Sequence, residues 1–161
     1  MSERRSGDGD VHPVFSAAAP AFTDERSGLR VWFTDPPGMV TQMTREAEIT
    51  VAMAEFLAGP VTEALRKLPR EPSQRLVFVH EWTRFRSYEP AARDALTAWA
   101  LSLKGDIGLM LFVIDKQASS MVRMGIKVGT MTLKLAGIDS QLVDSLDPAL
   151  AAHGIRPRRW P

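Results

Sequence analysis

The sequence predicts one α/β domain that begins with a β-hairpin and continues as alternating helices and strands, in the order ββαβαβα, around a mostly parallel sheet. Three observations lead there. Two strand-like runs, LRVWFT and MVTQMT, flank an Asp-Pro-Pro-Gly turn at positions 35 to 38. Beyond them, stretches with apolar residues at helical spacing alternate with short apolar runs that have no helical period. Strands separated by single helices are joined by crossovers, which makes them parallel neighbours. A chain of 161 residues suits one such core.

Met1 to Gly28 is rich in Ser, Gly, Ala, Pro and charge with no sustained period, and 1–28 is expected to be a mobile arm. The domain proper is expected over 29–154. In its hairpin the prolines of the turn set φ, and Gly38 tolerates the positive φ that a tight reversal can require. Thr44 is a good N-cap, followed by Glu46 and Glu48 and by Ile49, Met53, Phe56 and Leu57 at helical spacing, so a helix is predicted from about 45 to 58. Gly59-Pro60 should break or kink it before VTEALRKL continues to Pro69. Arg75 to Trp82 reads as a strand buried on both faces, because Leu76 to Val79 are consecutive apolar residues.

Ser87 or Glu89 is expected to cap the next helix, with Pro90 in its first turn and an apolar face from Ala92 to Leu103 before Gly105. IGLMLFVID, 107–115, is the clearest buried strand. Ser119 or Ser120 then opens a long helix ended by Gly137, in which Gly125 and Gly129 lie one turn apart and let another backbone approach. SQLVDS supplies a last strand, and Asp147-Pro148 an N-cap and first-turn proline for a helix reaching His153-Gly154. Residues 155–161, IRPRRWP, form a basic C-terminal tail.

Composition narrows the function classes. The 20 basic and 19 acidic residues leave a net charge of +1, so no global field draws the chain to nucleic acid or to an anionic membrane. With no cysteine there is no disulfide, thiolate nucleophile or thiolate metal site. The apolar run LMLFVI is too short to span a bilayer, and Asp8, Asp10 and His12 interrupt the place of a signal-peptide core. A cytoplasmic protein is expected.

Chemistry-bearing motifs are few. His80-Glu81 opens like a zinc-binding HExxH, but Arg84 stands where the second histidine belongs. No GxSxG elbow, GxxxxGK[ST] loop or GxGxxG turn occurs. No catalytic residue, metal site or cofactor is therefore assigned. Two polar clusters remain as candidates for anion or partner binding. Arg84, Arg86, Ser87 and Tyr88 follow the central strand, and Ser119, Ser120 and Arg123 open the long helix. N-capping accounts for the serines. A hydroxyl at a helix start, beside arginines and the helix N–H groups, is also a place where phosphate is stabilised.

The segment RLVFVHEWTRFRSYEPAARDAL, placed within the ββαβαβα order, resembles the central strand, loop and helix of the STAS domain superfamily. It is most similar to divergent bacterial SpoIIAA-like proteins. The resemblance implies a non-enzymatic regulatory or interaction module that contacts a protein partner, a kinase or regulator, or a small anionic ligand. It also implies Ser87 as the position of the family's phosphorylated serine; here Arg86 replaces the preceding aspartate and the following glycine is absent. The alternative is a carrier of a small molecule or lipid, or a small α/β enzyme, with an apolar pocket. Met121, Met124 and Met131 would line that pocket or fill core.

Overall fold

A short strand precedes the hairpin that the turn announces. The computed structural model describes residue 15 and residues 17–160. In it β1 (Phe22–Asp24) pairs antiparallel with β2 (Leu29–Asp35), which pairs antiparallel with β3 (Gly38–Met43), Trp32 facing Val40 in register. The turn between β2 and β3 holds the Asp35–Pro36 peptide in the cis form, and Thr34 Oγ1 donates to the Pro36 carbonyl at 2.9 Å. Part of the segment expected as a mobile arm is thus built into the sheet. Phe15 is also fully buried, edge-on to Trp32 at 5.6 Å, and the Ala18 carbonyl accepts from Trp32 Nε1 at 2.9 Å. Residues 1–14 of that arm lie outside the described residues.

The helix predicted from 45 starts later. β4 (Ala47–Ile49) intervenes, and Thr50 becomes the N-cap, its hydroxyl accepting from Met53 N at 3.3 Å. The first helix, α1, runs as an α-helical segment Val51–Phe56, a π-helical turn Leu57–Val61 and a second α-helical segment Thr62–Arg66. Pro60 lies in the π turn. A proline lacks the N–H for the regular ladder, and the widened turn lets the helix pass it without ending. Thr62 Oγ1 donates to the Leu57 carbonyl at 2.7 Å there.

Strand β5 (Leu76–Glu81) is buried almost throughout, as its unbroken apolar run requires. The chain then forms β6 (Phe85–Tyr88), parallel to β4 in a small separate sheet. Ser87 therefore lies in a strand, and Glu89 takes the N-cap position of α2 (Pro90–Ser102) with Pro90 in the first turn. β7 (Ile107–Val113) and α3 (Ser120–Leu135) fall where the sequence puts them, Gly137 following α3 with φ +91°. After β8 (Asp139–Val143), α4 (Leu146–Ala152) begins two residues earlier than Asp147-Pro148 suggests, with Ser145 as N-cap. β9 (Arg156–Pro157) returns antiparallel to β2.

The main sheet has the order β1-β2-β3-β5-β7-β8, with every step from β3 onward parallel. β1 and β9 take successive parts of the same edge of β2, one at residues 29–31 and the other at 34–35. Alternation along the strands feeds two cores. Phe33, Phe78 and Met110 pack under α1, α2 and α3, while Trp32, Val40, Val79 and Leu111 pack under α4. The tail is packed too: Ile155 is buried and Trp160 meets Phe33 edge-on at 4.8 Å.

Candidate functional site

The aromatic residues of β5 and β7 do not close the larger core completely. Beside the carboxyl ends of these strands, between α2 and α3, lies a half-open cavity of about 70 Å³. His80, Trp82 and Phe112 come from the strand side, Trp99 from α2, and Gly125 and Gly129 from α3. Ile49, Phe85 and Tyr88 of the small β4–β6 sheet close one end. Crevices at the carboxyl ends of parallel strands are the general place for ligands in such folds.

His80 is held from below. Its Nδ1 lies 2.7 Å from Thr41 Oγ1, and both residues are buried. The ring is surrounded by Trp82 at 4.8 Å, Phe112 at 5.2 Å and Trp99 at 6.2 Å. Burial in this apolar shell disfavours the charged form and pushes the His80 pKa down to about 3, so the imidazole is neutral at pH 7. Neighbouring Glu81 points to the opposite face and accepts from the Thr83 hydroxyl.

The walls carry few polar groups. Trp99 Nε1 is satisfied by Thr62 Oγ1 at 2.8 Å, whereas Trp82 Nε1 is buried with no hydrogen-bond partner among the described residues. An unpaired buried N–H costs roughly 1–3 kcal/mol. Gly125 is required by close approach, since a Cβ there would lie 2.6 Å from Tyr88 Oη. At Gly129 a Cβ would meet nothing within 4 Å. The glycine pair thus does two things: one member seats Tyr88 and the other leaves space.

The predicted site residues separate into different roles. Tyr88 lines the cavity. Arg84 Nη1 donates to the Thr44 carbonyl at 2.6 Å. Arg86 is bound to Glu46 Oε1 at 2.6 Å and faces Asp115 at 3.8 Å; the hydrogen bond to Arg86 holds the Glu46 carboxyl below its usual range. Both arginines between which a phosphate on half-buried Ser87 would be held are therefore already engaged. Ser119 caps α3, accepting from Val122 N at 3.3 Å, while Ser120 and Arg123 are exposed. Met121, Met124 and Met131, expected in a pocket or in core, stand instead on the outer side of α3, each more than half exposed.

The sequence assigns His80, Trp82 and Trp99 to structure and offers an apolar pocket only as an alternative, lined by the α3 methionines, which stand exposed instead. The available signal was the Gly125-Gly129 pair, which gives α3 a face without side chains toward an aromatic-rich strand. A second, wider depression of about 610 Å³ lies along residues 24–27 and 45–52. It mixes charges, and Arg45 is spent there on the carbonyls of Glu25 and Arg26.

Fold and cavity together define a single α/β domain with a mixed sheet, four helices among the described elements and an aromatic crevice at the strand ends. No family model, curated protein or solved structure matches the chain. Among the described residues no helix is long and apolar enough to cross a membrane.

Proposed function

We propose that the chain is a non-enzymatic, STAS-like regulatory module that binds a small, largely apolar molecule carrying one hydrogen-bond acceptor. The observation that carries this reading is the aromatic cavity between α2 and α3, lined by neutral His80 and by Trp82, whose indole N–H is buried and unpaired among the described residues. Aromatic walls supply affinity through area and ring contacts, and a hydrogen bond to the Trp82 N–H would set orientation. The interior volume of about 70 Å³ is smaller than the roughly 150 Å³ that accommodates a benzene ring in an apolar protein cavity. A ligand would therefore enter end-on, its polar end at Trp82 and its remainder in the open mouth between the helices. The antiparallel hairpin followed by a parallel α/β run supports the STAS-like part of the reading.

The test is NMR titration of the full chain with acetophenone, benzamide and hexanoate. The Trp82 indole N–H resonance should move downfield as it acquires an acceptor, with Gly125 and Gly129 amides shifting alongside it. Gly129→Leu, which places a side chain in the open space, should abolish the shifts while the fold persists. Titrations that leave the Trp82 N–H unmoved for all three compounds would remove the proposal.

A further inference from the structure

The outer face of α3 carries a second message that the cavity does not use. Six large apolar side chains are exposed among the described residues, and five of them are on this helix: Met121 (57%), Met124 (63%), Val128 (46%), Met131 (57%) and Leu135 (85%). Their separations are three, four, three and four residues, which is the a/d spacing of a coiled-coil seam. At 3.6 residues per turn they fall within an arc of roughly 80°. The helix needs none of them for its own packing, because Val122, Ile126, Thr130 and Leu133 face inward and are buried. A stripe this narrow fits a helix better than a flat surface.

Charge decides which helix. Alpha-3 contains Arg123, Lys127 and Lys134 and no acidic residue. At the same helical spacing these three cations fall within roughly 40° of one another, all along one border of the stripe. A second copy of α3 would bring the same cations to the same seam and add like-charge repulsion. An amphipathic helix with carboxylates beside its apolar residues would meet them with opposite charge.

We infer that the outer face of α3 is a docking site for an amphipathic helix of a protein partner, read through the 121-124-128-131-135 stripe and oriented by acidic residues against Arg123, Lys127 and Lys134. Methionine suits such a seam because its unbranched, polarisable side chain adapts to the partner's shape. The seam faces away from the cavity, so this inference stands or falls apart from the ligand reading.

The probe is a three-heptad amphipathic peptide with leucine at the a and d positions and glutamate at the flanking positions, and its control has lysine in place of each glutamate. Fluorescence anisotropy with the full chain should show the glutamate peptide binding at least tenfold more tightly than the lysine peptide. The preference should shrink as salt rises. Met124→Asp combined with Met131→Asp should weaken binding at least tenfold, and Lys127→Glu with Lys134→Glu should reverse the peptide preference. All four positions are exposed, so the thermal unfolding midpoint should stay close to that of the parent chain. Equal binding of both peptides, or of neither, overturns the inference. So does a Met124-dependent dimer by sedimentation, or binding to vesicles of phosphatidylglycerol and phosphatidylcholine that outcompetes the glutamate peptide.

Discussion

At the scale of single residues, His80 is the group whose surroundings most change its chemistry. Its pKa is pushed down by burial to about 3, so between that value and the ordinary 6.5 the unfolded chain holds a proton that the folded chain does not. Stability from this source is complete above about pH 6.5 and is lost as the pH falls toward 3, by up to about 1.4 kcal/mol per pH unit. Urea unfolding at pH 7.5 and pH 5 should therefore show a loss on the order of 2 kcal/mol that His80→Gln does not share. An identical pH dependence in both proteins would contradict the buried neutral ring. The glycines of α3 give a second residue-scale contrast. Gly129→Ala, with open space around the new Cβ, should stabilise the chain by about 0.5–1 kcal/mol through helix propensity. Gly125→Ala should forfeit that gain, because its Cβ would crowd the Tyr88 ring. Parallel urea titrations of the two variants check the difference.

At the scale of elements, the β4–β6 pair and α1 explain one another. Backbone bonds run from Ala47 N to the Arg84 carbonyl and from Glu89 N to the Ile49 carbonyl, so residues 47–49 are drawn into a strand although Glu46 to Phe56 has helical spacing. Non-local pairing overrides the local preference here. Glu89 joins two helices: it is the N-cap of α2, and its Oε2 accepts from Val51 N at 2.8 Å at the start of α1. A carboxylate at a helix N-terminus satisfies a free donor and complements the dipole. Glu89→Ala should accordingly cost about 1 kcal/mol in urea unfolding. A variant as stable as the parent would show that the bond contributes nothing.

Across the whole molecule, the first and last strands of the described residues close the edge of β2. An open strand edge invites pairing with other chains, and here β1 and β9 cover it in succession. The tail adds buried Ile155 and the Trp160 ring on Phe33, and Arg158 N donates to the Phe33 carbonyl at 2.8 Å. Ending the chain after Gly154 removes all of these together. Since burying one large apolar side chain is worth roughly 1.5–3 kcal/mol, the truncated protein should lose at least that much stability and become more prone to self-associate through the bared edge. Differential scanning calorimetry with size-exclusion chromatography checks both effects. An unchanged midpoint would mean that the tail only rests on the sheet.

The α/β class, the hairpin at 35–38, the buried strands at 76–81 and 107–113, and the long helix from Ser120 to its end before Gly137 are legible in the sequence. Each of these is written in spacing, capping and turn chemistry within a dozen or so neighbouring residues, where local steric and solvation forces act. Long-range contacts set the rest: that β4 and β6 pair, that residues 22–24 and 156–157 join the sheet, that Trp82 has an unpaired N–H among the described residues, and that the α3 methionines point outward rather than into core. These depend on which distant surfaces meet. A helix with apolar residues on two faces does not disclose which face the sheet will cover; for α3, the residues that meet the sheet and Tyr88 settle it.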